Sequence, residues 1–334
     1  MRGKVDGLQT NAEAGTGPMT HTNYRPHFDW QLRTRKLALG QRTLLMAIVN
    51  LTPDSFSGDG LLSTNGSLDL RPPAAVIKLA VATAIQAVDG GADIVDLGAE
   101  STRPNATPIS SEQEQERLLP VLEQLLRERP HAVVSVDTYH GSTARAAARA
   151  GAEIINDVSG LTWDPSMAKA VSQSGCGLVL MHARGRSGEW QTQPGLDGDA
   201  VMPVVFAGLC EQLAQAEAAG IRTERIVADP GFGFGKRGTE NFALLARLGR
   251  LRELGRPLLV GLSRKGFLGD AVKPLQRGKV DPSADPGEAR RIATAAANVA
   301  AILAGAHVLR VHDLQVAQEA AVIADAVLSA ANHE

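Results

Sequence analysis

The sequence is poor in cysteine. Only Cys176 and Cys210 occur in 334 residues, and they form no C-x-x-C pair. Neither a zinc site nor a disulfide framework can therefore organise the fold. Cys176 stands just before Leu178-Val179-Leu180 and reads as a small buried side chain. Such economy with cysteine fits a reducing compartment, so a cytoplasmic location is expected. Long apolar runs are missing as well. None approaches about 18 residues, and no membrane span is expected. There is also no excess charge of one sign. The 34 Lys and Arg face 36 Asp and Glu, a formal net charge of -2. That balance argues against nucleic acid or an anionic membrane surface as a partner, so any anion site must be local. Met1 to about Thr22 lacks the basic start and apolar stretch of a signal peptide. It reads as a flexible leader. Residues 1–40 are assigned to this leader and an entry segment, and 41–334 to one domain with no internal linker.

Two signals alternate through the rest of the chain. Short runs rich in Val, Ile and Leu read as buried parallel strands. They are Leu44–Val49, Asp93–Leu97, Ala132–Val136, Glu153–Ile155, Leu178–Met181, Arg225–Ala228, Leu258–Gly261 and Ala306–Arg310. Between them lie stretches with Ala, Leu and charges at helical spacing. They are Ala74–Asp89, Ser111–Glu128, Ser142–Ala150, Pro165–Ser172, Val201–Ala219, Glu240–Glu253, Gly287–Leu303 and Leu314–Ala330. Glycines such as Gly151, Gly175 and Gly305 end several helices just before the next strand. Eight βα units in order predict an α/β fold, a (β/α)8 TIM barrel, with a doubly wound open sheet as the alternative. Asp270–Pro286, with three prolines, reads as a long loop after the seventh strand.

Polar residues collect just after the strand ends, which in a barrel share one face. Asn50 ends the first strand with a neutral oxygen suited to a hard cation such as Mg2+. Thr102 and Arg103 follow the second strand, Arg103 offering a planar fork for phosphate or carboxylate. Asp137, Asn156 and Asp229 stand at three further strand ends and would point into a common pocket. Buried carboxylates need donors, and a flat heterocycle with adjacent amino and N–H groups supplies them. The ordinary alternative for each Asp is a helix N-cap, the use expected of Asp164 before Pro165. Gly231-Phe232-Gly233-Phe234-Gly235-Lys236 matches neither a P-loop nor a dinucleotide fingerprint. It reads as a flexible loop offering Phe234 as an apolar wall. Ser263-Arg264-Lys265 and Arg310-Val311-His312 end strands seven and eight, where barrels often bind phosphate. His182 reads as structural rather than as a base.

Together these motifs resemble the dihydropteroate synthases. The residues that carry the likeness are Asn50-Leu51-Thr52-Pro53-Asp54-Ser55-Phe56-Ser57, Glu100-Ser101-Thr102-Arg103-Pro104, Ser135-Val136-Asp137-Thr138, Ile155-Asn156-Asp157-Val158, Asp229 to Lys236, Ser263-Arg264-Lys265 and Arg310-Val311-His312-Asp313. The resemblance implies a cytosolic enzyme of folate synthesis. Its substrates would be a pterin diphosphate and p-aminobenzoate, it would need Mg2+, it would be a sulfonamide target, and it would form a homodimer. Asp137, Asn156, Asp229 and Lys265 would hold the pterin, with Thr102 as a further contact and Met181 and Phe234 as walls. Arg310, His312 and Asn50 would hold the diphosphate, Asn50 as the Mg2+ contact, with Ser263, Val311 and Arg103 also in the substrate site. Asp137, Lys265, Arg310 and His312 are the expected catalytic residues. No nucleophile stands beside a base, so no covalent enzyme intermediate is expected. The residue set that the resemblance implies suggests a dissociative, SN1-like path. The loops Pro53–Gly60 and Ser101–Pro104 would close over the second substrate. The sequence departs from the family pattern at Gly58-Asp59-Gly60, where the acid is displaced by one residue, at Ala183, and at Gly266, where many members have Ser. Two other readings are a methyltetrahydrofolate methyltransferase and a silent pterin-binding homologue.

Overall fold

The computed structural model describes residues 25–51, 74–100, 107–190, 192–276 and 286–331. A small hairpin comes first, β1 (Phe28–Gln31) against β2 (Lys36–Leu39). The alternating units follow: β3 (Leu44–Asn50), α1 (Ala74–Asp89), β4 (Ile94–Gly98), α2 (Ser111–Glu128), β5 (Val134–Asp137), α3 (Gly141–Ala150), β6 (Ile154–Asp157) and α4 (Met167–Ser174). The second half comprises β7 (Gly177–Met181), α5 (Val201–Ala218), β8 (Ile226–Asp229), α6 (Gly238–Ala246), β9 (Leu259–Val260), α7 (Gly266–Gln276), α8 (Pro286–Leu303), β10 (Val308–Val311) and α9 (Leu314–Ala331).

The eight strands β3 to β10 form one parallel sheet in the order β8-β7-β6-β5-β4-β3-β10-β9. A parallel bridge from Ala228 to Leu258 joins its two edges. The fold is the expected (β/α)8 barrel. Every strand is buried on both faces, which is why each reads as a continuous apolar run. The outward strand residues meet the inner stripes of the helices, such as Leu118, Leu122 and Leu125 of α2. Ser110 caps α2 and accepts from Gln113 N in a reciprocal capping box. Gly151 and Gly175 end α3 and α4 in the left-handed conformation, at φ 115° and 74°, where a Cβ would be strained.

The hairpin plugs the end of the barrel where the strands begin. Trp30, Leu32 and Leu39 are buried among Met46, Ile94, Ile154, Val179 and Val227. Trp30 Nε1 donates to Arg225 O at 2.8 Å, and Arg33 Nε to Ala152 O at 2.9 Å. A side chain at Gly177 would strike Leu32 and Trp30, so the plug needs glycine there. Arg25 locks its start, with Nη2 2.9 Å from Asp325 Oδ1 of α9.

Two stretches differ from the sequence expectation. Asp270 to Gln276, read as the start of a loop, belongs to α7, and residues 277–285 lie outside the described residues. The helix expected over Glu240–Glu253 breaks at Arg247 into α6 and a 3₁₀ segment, Leu248–Leu254, with helix-weakening Gly249 inside it. The expected leader to Thr22 lies outside the described residues. Among the described helices, α9 alone is long and apolar enough to cross a membrane. Its Ala317, Ala320, Ala321, Ala324 and Leu328 instead pack on the barrel as the inner stripe of its last helix.

Candidate active site

The strand ends open into one cavity of about 480 Å³. Asn50, Asp137, Asn156, Met181, Asp229, Phe234, Ser263, Lys265, Arg310 and His312 all line it. The residues assigned to a heterocycle and those assigned to its anion therefore face the same space. Ten expected site residues converge from seven strands because each sits at, or within a few residues of, the end of its strand.

Arg310 is the hub. Its side chain enters the barrel from β10, and Nη2 donates to Asp137 Oδ2 at 2.6 Å. Its Nε donates to Asp96 Oδ2 at 2.7 Å, and the same oxygen accepts from Asn156 Nδ2 at 3.1 Å. Asp96 is wholly buried, and its Oδ1 has no hydrogen-bond partner among the described residues. One guanidinium thus serves two carboxylates, and negative charge is left over. Burial pushes Asp137 up to about 7, with Asp96 adding to the rise and Arg310 opposing it. Burial would lower Arg310, but Asp96 and Asp137 outweigh it and hold the guanidinium charged. The two upward shifts conflict if read as one pair. They agree once Asp137 is seen to compete with Asp96 for a single cation.

Lys265 is the second cation. Burial lowers it to about 8, against the pull of Asp229 and Asp137. Its Nζ sits 4.1 Å from the centre of the Phe234 ring, a cation–π contact. Trp190 packs edge-on against the Phe234 ring, with centroids 5.0 Å apart. Asp229 is raised chiefly by burial, and its Oδ1 accepts from Gly231 N at 2.7 Å. It thus closes a turn, where the ordinary reading expected a helix N-cap. Asp164 accepts from Ser166 N and Gly141 N, but the N-cap of α4 is Ser166, so the cap expected before Pro165 lies two residues further on.

The Gly231–Lys236 segment is tied down rather than flexible. Lys236 Nζ donates to His182 O and Gly231 O, both at 2.8 Å. Asn241 Oδ1 accepts from Gly233 N at 2.8 Å. Gly231 has φ 66°, and a Cβ there would collide with His182 O. His182 itself is 6% exposed, and burial drives it down to about 2, so it is a neutral structural ring.

Ser263 Oγ accepts from His312 N at 3.2 Å and lies 3.1 Å from its Nδ1. That contact orients the imidazole. Val311 faces the other way along the strand. It is buried in the outer core and lines a second cavity, not the mouth. Thr102 and Arg103 lie outside the described residues, as do the Pro53–Gly60 and Ser101–Pro104 loops with Asp59.

Sequence reasoning missed three residues. Asp96 stands inside Ile94–Gly98 rather than at its end, yet an acid within an apolar strand is itself a signal of a buried pairing. Lys236 ends the Asp229 to Lys236 motif but was given no role. Glu100 also lines the mouth, accepting from Tyr139 Oη at 2.5 Å with His140 Nε2 3.3 Å away.

Residues 46–312 match the family model described as pterin binding enzyme. The dihydropteroate synthase of Escherichia coli (strain K12) is 38% identical over 286 residues, covering 86% of this chain and 92% of that protein. The Xanthomonas albilineans dihydropteroate synthase, solved with 4-aminobenzoic acid, is 38% identical at a TM-score of 0.74, covering 91% and 98% of the two chains. The Yersinia pestis dihydropteroate synthase, solved as a sulfonamide drug complex, is 33% identical at a TM-score of 0.76, covering 91% and 100%.

Proposed function

This chain belongs to the pterin-binding enzyme family, and from that premise we propose that it acts as a dihydropteroate synthase. It is a transferase that joins 6-hydroxymethyl-7,8-dihydropterin diphosphate to p-aminobenzoate, giving 7,8-dihydropteroate and diphosphate for folate biosynthesis. One observation carries this reading: acceptors for a flat heterocycle and cations for a leaving anion line a single cavity.

Asp137, Asn156 and Asp229 accept from the ring's amino and N–H groups, and Met181 and Phe234 enclose its faces. Lys265 donates to the ring from its seat on Phe234. Arg310 and His312 take the charge that grows on the diphosphate as its bond to the methylene breaks. The methylene cation is delocalised into the ring, where the two carboxylates lower its energy. The amine nitrogen then bonds to that carbon and gives up a proton. This SN1-like order asks for no covalent enzyme intermediate.

Mg2+ fits this donor set only in part. Asn50 presents one neutral oxygen to the cavity, and no group of three or more His, Cys, Asp or Glu among the described residues could hold a metal. Such a site suits an ion that keeps water and phosphate oxygens as its other ligands. When bound, the ion supplies charge neutralisation to the diphosphate.

The decisive assay mixes the protein with the pterin diphosphate, Mg2+ and p-aminobenzoate and follows diphosphate release. Turnover that needs both organic substrates is expected. Binding without turnover, or turnover only with methyl-folate and a corrinoid, would overturn the proposal.

We also propose a cytoplasmic homodimer. The helices α8 and α9 pack side by side and expose Ile292, Val322 and Ile323, all above 60%, with Val327 nearby. A second copy of the chain would cover them. Sedimentation should give twice the monomer mass, and Ile323→Asp should halve it.

A further inference from the structure

A second cavity, of about 310 Å³, lies beside the β9–α7 turn, between the first half of α8 and the start of α9. Ser263 and Arg264 line it as well as the mouth, so the two cavities share a wall. Arg290, Arg291, Thr294 and Asn298 of α8 complete it.

Two features mark it as built for a ligand. The first is charge. Three arginines meet one acid, Asp313, which is paired with Arg291 at 2.8 Å. Arg264 and Arg290 have no ion-pair partner among the described residues. Arg264 adopts φ 60° as the third residue of the Leu262–Lys265 turn, which Lys265 N closes by donating to Leu262 O at 3.2 Å. The second is an orphan. Asn298 is 1% exposed, and its Oδ1 has no hydrogen-bond partner among the described residues. Leaving a buried amide unmatched is unfavourable, and a part-protonated or hydrated oxyanion satisfies it.

We propose that this cavity is a second oxyanion site, which takes inorganic diphosphate after it leaves the mouth. The choice of diphosphate rests on the proposed reaction; the existence of an oxyanion site does not. An anion released by Arg310 and His312 meets Ser263 and Arg264 next, because Ser263 already touches His312. Arg290 and Arg291 then compete for it on the solvent side.

Calorimetric titration of the whole chain with inorganic diphosphate tests this. Two sites per chain are expected. Arg290→Ala/Arg291→Ala should weaken one of them at least about tenfold, the loss of two charge-assisted contacts. Arg310→Ala should weaken the other. Far-ultraviolet dichroism shows whether each variant is folded, and Arg290→Lys/Arg291→Lys should keep part of the affinity. A single site in the wild type, lost with Arg310→Ala and untouched by the α8 changes, overturns the proposal. So does inorganic phosphate binding as tightly as diphosphate at the α8 site. If the chain turns over no substrate yet still shows the α8-dependent site, the reaction has failed and the oxyanion site has not.

Discussion

At the strands' beginning, Trp30, Leu32 and Leu39 press against Met46, Ile94 and Val179, and the backbone around them is hydrogen bonded. At the strands' end, Asp137, Asp229, Lys265 and Arg310 line a cavity of about 480 Å³, with Asp96 buried behind Arg310. The same eight strands supply both ends. The closed end gains by removing apolar surface from water. The open end holds charges that burial disfavours and that only pairing makes tolerable. Stability and chemistry are thus separated along the barrel axis, and changes at the two ends should be told apart by what they alter.

Trp30→Ala should have the largest effect. It empties a fully buried site and should cost about 3–5 kcal/mol of stability, read by denaturant unfolding. KM for both substrates should stay within about twofold below the melting range. A large KM change would break the separation.

Lys265→Ala is the matching change at the open end. It should lower kcat/KM by about a hundredfold, or ~2.7 kcal/mol, with little loss of melting temperature. Normal turnover by this variant would argue against the pterin contact.

The third effect is a pH dependence. Asp137 offers the ring and its developing cation a full negative charge only when ionised, so kcat/KM should rise up to about pH 7. Lys265 loses its charge above about 8, so the rate should then fall. Asp137→Asn should remove most of the rising limb, about tenfold at its foot. Stability runs the other way. A carboxyl whose value is raised on folding contributes most below its ordinary range, and that contribution is lost as pH rises to about 7. The same group should therefore aid the reaction where it weakens the fold.

Gly266→Ser should have the smallest effect. A Cβ there has open space, and the residue begins α7 at the cavity wall. The added hydroxyl should change KM for p-aminobenzoate by at most about threefold. A loss of activity beyond that would mean the wall is tighter than its geometry indicates.

The barrel was legible because its rules are local. Apolar runs mark β3 to β8, and α1 and α2 have the bounds their spacing predicts. The hairpin was overlooked although Phe28, Trp30 and Leu32 alternate with polar residues. Its tip, Arg33-Thr34-Arg35, contains none of the Gly, Pro, Asn or Asp that announce a turn. The helix α7 was hidden by the prolines that follow it, Pro274 lying inside its last turn. In the site, residues at strand ends were found and Asp96, one step inside, was not. Strand periodicity tells which way a side chain points, and so placed Arg310 in the mouth and should have turned Val311 away from it. It cannot tell which acid will claim a given cation, because that depends on distances across the barrel.

The ring of strands is not equally strong all round. Seven neighbouring pairs share ladders, but β8 meets β9 through one bridge, Ala228 to Leu258, and β9 is two residues long. A closed hoop fails first at its thinnest link. Amide protons flanking that seam should exchange with deuterium sooner than those of β4 or β6, which are held from both sides. The seam also separates the loop of Asp229 from the loop of Lys265, so the barrel's give lies between an acid and a base that must both reach one guest.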